Sequence, residues 1–185
     1  MKPIAELRDA ALGWLDLIGR RDGAAASRFN AGPEGLVTML LWYLGLVILT
    51  RIIQGLTLFG AVPALVDIAL ALALNAMPML AILLVVFATH RVLRPAVGLL
   101  TLMVPAGYAL VLLLIIGLPL SLFVGSALAP ALQGLLGYML YRLARDIAKL
   151  SLGISVAFAI LGVVLLVAIP IGLYMLLMPD LPTPS

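Results

Sequence analysis

Two ionisable residues interrupt otherwise apolar runs and are the first candidates for chemistry: Arg51 and Asp67. Each costs roughly 2.5–3.5 kcal/mol at the centre of a membrane helix on insertion scales, so each calls for a partner or a function. A hairpin turning near Phe59 puts the two at one depth, eight residues before and after the turn, which predicts an intramembrane ion pair. Snorkelling of each towards the headgroups and a proton or ion relay are the competing readings. Asn75 and Gln133 also lie inside apolar runs. They are expected to hydrogen-bond across helices, at about 0.6 kcal/mol each.

Other constellations are missing from the sequence. There is no cysteine and a single histidine, His90, which excludes disulfides, thiolate metal sites and multi-histidine zinc sites. No phosphate-cradling glycine loop ending in Lys-Ser/Thr and no Gly-x-Ser-x-Gly nucleophile turn occurs. No catalytic, cofactor-binding or metal-ligating residue is therefore assigned, no cofactor is expected, and the chain is expected not to be an enzyme. His90, beside Arg91, reads as a loop residue. Arg142, Arg145 and Lys149 follow Tyr138 and Tyr141 at the edge of an apolar run. They are candidates for contact with anionic headgroups, and equally form an ordinary topogenic loop.

These residues sit in a chain that is 65% apolar and 10% charged, with mean hydropathy +1.28. A soluble domain is roughly 45–50% apolar and about a quarter charged, so the excess apolar surface must face lipid. The expected fold is all-α: an integral membrane bundle of five transmembrane helices at about 36–59, 64–88, 96–118, 120–141 and 151–178. The count depends on the 47 residues from Pro95 to Tyr141, which carry no charge. As one helix they would extend about 70 Å, against a hydrocarbon thickness of about 30 Å. Gly117-Leu118-Pro119 is the expected turn, with a re-entrant segment across 117–130 as the alternative. Pro78, Pro105, Pro130 and Pro170 each fall inside a span and predict kinks.

Residues 1–35 form a cytoplasmic amphipathic helix and linker, too polar for the apolar core of a cleavable signal peptide. Ile4, Leu7, Ala11, Leu15 and Ile18 share one helical face, with Trp14 at its edge and Lys2, Glu6, Asp9, Asp16 and Arg20 opposite. Such a helix lies in the membrane interface or packs beneath the bundle. Ten of the eleven Lys/Arg fall on the N-terminal side of the five-span topology, and Arg51 falls on the other. Positive residues are retained inside, so the N-terminus is expected in the cytoplasm of a bacterial inner membrane, with the C-terminus and the tail 180–185 outside. A net charge of +3, spread between apolar runs, gives no nucleic-acid patch.

The span order, the polar N-terminal segment and a Gly107-Tyr108 pair opening the aliphatic run of the third span resemble the bacterial branch of the Yip1-like membrane proteins. The resemblance covers roughly Gly35 to Met178. The proline that often follows the family's Gly-Tyr pair is absent, as is an Asp-Leu-Tyr-Gly-Pro type element. It implies interaction with other membrane proteins or lipids, in a membrane-organising or trafficking-type role, with a membrane-protein partner or a homo-oligomer. A small transporter or channel, or an accessory subunit of one, is the alternative, carried by the kinked helices and the Arg51 and Asp67 charges.

Overall fold

The computed structural model describes residues 3–19, 25–124 and 128–177. Lys2, the charges at Arg20, Arg21 and Asp22, and the tail 180–185 lie outside these residues. Among the described residues there are six α-helices and no strand: α1 (Pro3–Ile18), α2 (Pro33–Phe59), α3 (Leu65–Leu93), α4 (Leu99–Val124), α5 (Leu128–Arg142) and α6 (Leu152–Leu177). A single 3-10 turn, Ala26–Arg28, lies between α1 and α2, and a π-helical turn, Leu143–Ile147, extends α5.

Local chemistry explains the boundaries. Pro33 opens α2, where its missing N–H has no intrahelical partner to lose and its fixed φ is already helical. Gly60 closes it in the left-handed region at φ 64°, a conformation that costs an L side chain energy. Asp67 stands in the first turn of α3 and accepts the Ala64 N–H at 3.1 Å, half of a capping box at the positive end of the helix dipole. At the far end of α3, Arg94 turns left-handed at φ 46° and donates its N–H to the His90 carbonyl. The His90 ring nitrogen Nε2 lies 3.1 Å from the Val97 carbonyl. His90 thus stands in the last turn of α3 and not in the loop expected, with its ring reaching across the α3–α4 turn.

Four helices are long and apolar enough to cross a membrane: Pro33–Thr57, Leu65–Leu93, Leu99–Leu120 and Leu152–Gly172. This is consistent with a membrane protein and corrects the count of five. The expected fourth span, 120–141, is replaced by α5, whose 15 residues extend about 22 Å at 1.5 Å per residue, short of about 30 Å.

The expected turn at Gly117-Leu118-Pro119 is also corrected. α4 runs through Pro119 to Val124, and the connection to α5 falls at 125–127, outside the described residues. A proline within a helix frees one carbonyl without ending it when neighbours tolerate the kink. The proline that marks the break is Pro130, in the first turn of α5, where no hydrogen bond is lost.

The helices form an antiparallel array around α4. Tyr43 of α2 meets Asn75 of α3, and Gly55 of α2 lies against Pro63 just before α3, so those helices form a hairpin. Gly117 of α4 lies against Leu132 of α5, and Gly137 of α5 lies against Val163 of α6. Gly162 of α6 faces both Leu140 of α5 and Ile82 of α3, which closes the bundle. Half of the α4 span is buried, more than of any other span, and Val104 to Val111 are all buried. α4 is thus the central helix.

Candidate functional site

The most specific polar contacts gather where α1 meets α4. Trp14, 1% exposed, donates its indole N–H to the Pro105 carbonyl at 3.1 Å. Its ring meets Phe29 edge-on, with centroids 6.0 Å apart. The Tyr108 hydroxyl donates to Glu6 Oε1 at 3.3 Å, and the carboxyl-bearing residue is 4% exposed. At the start of α1, Trp42 of α2 donates to the Pro3 carbonyl at 3.2 Å. Beyond Trp14, Asp16 is buried and pairs with Arg28 Nε at 2.7 Å, which ties the end of α1 to the 3-10 turn.

Two consequences follow. Glu6 and Trp14 are eight residues apart on α1, about 12 Å, yet meet residues only three apart on α4, about 4.5 Å. α1 therefore crosses α4 steeply. Second, the apolar residues of α1 divide between the core and the outside, and two carboxylates join the inward face. Its inward face carries Glu6, Ala10, Gly13, Trp14, Asp16 and Leu17. Ile4 and Leu15, from the apolar stripe, are 74% and 62% exposed, while Leu7 and Ile18 pack at the edge of the contact. Glu6 and Asp16 were expected on the outer face. Periodicity locates a stripe but not the solvent it faces, and the adjacent Gly13-Trp14 pair was the available signal for the inward side.

Gly107 and Tyr108 lie at the centre of this contact. A Cβ on Gly107 would overlap the Met39 thioether of α2, so the missing side chain is what allows α2 and α4 to approach. Tyr108 then turns its hydroxyl to α1.

Arg51 and Asp67 are not paired. The ion pairs among the described residues include Arg8–Asp9, Arg28–Asp16 and Arg142–Asp146, and none joins Arg51 to Asp67. Asp67 is engaged at the N-terminus of α3, where it accepts the Ala64 N–H. Arg51 Nε is buried and has no hydrogen-bond partner. It borders a cavity of about 110 Å³ lined by Thr50, Gln54, Ala71, Asn75 and Leu114.

The interhelical bond at Asn75 is made by its backbone carbonyl, not by the side chain that was expected to make it. Tyr43 donates its hydroxyl to the Asn75 carbonyl at 2.7 Å, while the Asn75 side chain donates to Ala71 of its own helix at 2.8 Å. Pro78 lies one turn beyond, where its ring disturbs the carbonyl ladder. Gln133 makes no interhelical bond among the described residues; it borders a cavity of about 190 Å³ with Tyr43, Asn75 and Pro78.

The basic loop divides. Arg142 is buried, donates to Asp146, and reaches the Tyr138 hydroxyl at 3.4 Å, so it is removed from the headgroup candidates. The π-helical turn, in which Ala148 N–H bonds to the Leu143 carbonyl, brings Asp146 back over Arg142. Arg145 and Lys149 are exposed, and Arg145 donates to the Leu150 carbonyl at 2.8 Å. Among the described residues no group of three His, Asp or Glu side chains could hold a metal ion. Comparison with protein-family models, curated proteins and solved structures finds no match to this chain.

Proposed function

We propose that this chain is a non-enzymatic multi-pass membrane protein that acts through contact with membrane proteins or lipids, using α1 as its contact element. The observation that carries this reading is the exposed apolar edge of α1: polar and aromatic contacts latch the helix to α4 while Ile4, Leu12 and Leu15 point outward. A helix crossing the bundle steeply, with an apolar outer stripe, suits the plane of the membrane interface.

The topology proposed with it adds a fifth crossing, made by α5 with its π-helical extension, to the four helices that are long and apolar enough on their own. α5 and its π-helical extension together hold 20 residues, Leu128–Ile147, and return the chain to the end where α1 docks. The positive residues then lie inside, placing the N-terminus in the cytoplasm of a bacterial inner membrane and the C-terminus outside. The Gly107-Tyr108 resemblance to the bacterial Yip1-like proteins supports the same membrane-organising reading, since both residues lie in the α1–α2–α4 contact. A small transporter or accessory subunit is the second reading, favoured by the polar cavity at Arg51 beside the Pro78 kink.

A photo-crosslinking side chain at Leu15, introduced in native membranes, should form adducts with lipid or with one membrane-protein partner, whereas the same group at Ala10 should crosslink within the chain. Saturable solute flux by the purified chain alone in liposomes would overturn the reading in favour of transport.

A further inference from the structure

Arg51 is an arginine within a long apolar helix whose Nε has no partner among the described residues, and Thr50 and Gln54 beside it are free to donate. Val47, Thr50, Arg51 and Gln54 form one face of α2, at the spacing that brings side chains to the same side of a helix. Thr50 and Gln54 make no side-chain hydrogen bond among the described residues. The opposing wall is Ala71 and Asn75 of α3 with Leu114 of α4, and no carboxylate lines the cavity. The nearest acidic residue along α3, Asp67, already accepts the Ala64 N–H.

A buried guanidinium nitrogen left without an acceptor costs a further penalty in a low-dielectric surrounding, so an acceptor supplied from outside the chain would be held strongly. Guanidinium, hydroxyl and amide donors converging without a competing anion match a tetrahedral oxyanion. The volume of about 110 Å³ exceeds the roughly 30 Å³ share of one water, which leaves room for a phosphate group. Depth is compatible as well. Arg51 is eight residues, about 12 Å, before the end of α2. Because α2, at about 40 Å, exceeds a hydrocarbon core of about 30 Å, the cavity falls only several ångströms below the headgroup boundary.

We propose that the cavity between α2, α3 and α4 binds one phosphate group at Arg51, with Thr50 and Gln54 as accessory donors. The phosphate is either a lipid headgroup or inorganic phosphate.

The test uses the full chain in a phosphate-free maltoside detergent. Inorganic phosphate is titrated at constant ionic strength in one arm, and phosphatidylglycerol is added in the other. Bound phosphate is read by radiolabel and bound lipid by native mass spectrometry. The expected result is one saturable ligand per chain, with Arg51→Gln weakening it about tenfold or more, the loss of a charge-assisted contact. Asp67→Asn should leave binding unchanged. Saturation in the phosphate arm identifies the free ion, and saturation confined to the phosphatidylglycerol arm identifies the lipid. If Arg51→Gln does not accumulate as a helical, monodisperse protein, Thr50→Val and Gln54→Leu keep the charge and should each weaken binding several-fold. Absence of saturable binding in both arms, wild-type affinity in Arg51→Gln, or wild-type affinity in both accessory variants would each overturn the proposal.

Discussion

The Tyr108 hydroxyl and the Glu6 carboxylate, on the central helix and the N-terminal helix, are hydrogen-bonded at 3.3 Å in a buried contact. Replacing Tyr108 by Phe leaves that carboxylate without its donor, a loss of about 1–3 kcal/mol. Tyr108→Phe should therefore lower the unfolding midpoint in mild detergent, whereas Tyr108→Phe with Glu6→Leu, which removes both partners, should recover most of it. A double variant no more stable than Tyr108→Phe would show that the contact is not what matters at this position.

Trp14 is the larger anchor. Truncating a buried aromatic to Ala costs about 3–5 kcal/mol where the site cannot collapse. Trp14→Ala should release α1, seen as rapid amide exchange across residues 3–18 while α4 stays protected. Trp14→Phe, which keeps the ring but not the donor to Pro105, should fall between the two.

Gly107 should resist substitution because Met39 occupies the space a side chain would need. Gly107→Ala is expected to destabilise by about 1–3 kcal/mol, the usual cost of overpacking. Met39→Ala in the same chain should relieve it. Thermal unfolding of the four combinations measures the coupling; strictly additive effects would contradict the contact.

What was legible in the sequence follows the physics that acts locally. Charge-free windows located the long apolar helices α2, α3 and α6 to within about five residues at each end, because uncharged runs of this length are what a membrane span requires. Pro119 misled because an interior proline and a first-turn proline look alike in one dimension; Pro130 marked the break. Arg51 and Asp67 matched in depth, but Asp67 had a nearer use at the Ala64 N–H. The inward face of α1 was signalled only by Gly13-Trp14, because it depends on Pro105 and Tyr108, distant in the chain, and the burial of Arg142 depends on the π-helical turn that follows it.

That turn separates the basic residues by role. Arg142→Ala strands Asp146 and removes a buried charge contact, so it should reduce stability by about 1–3 kcal/mol. Arg145→Ala and Lys149→Ala should leave stability nearly unchanged. Each should weaken binding to phosphatidylglycerol-containing bilayers by about 1 kcal/mol, read by native mass spectrometry as a several-fold loss of bound lipid.

The proposed role rests on α1 docking through Trp14 and Leu17, together with Glu6 and Asp16, and presenting Ile4, Leu12 and Leu15 to the membrane. The chain has no cysteine, so a single introduced cysteine can be spin-labelled without background. The decisive measurement compares oxygen and aqueous nickel-chelate accessibility of labels at Leu15 and Ala10 in bilayers. The account predicts that Leu15 is open to oxygen and shielded from the chelate while Ala10 is shielded from both. A Leu15 label open to the aqueous chelate, or an Ala10 label as accessible as Leu15, would contradict it.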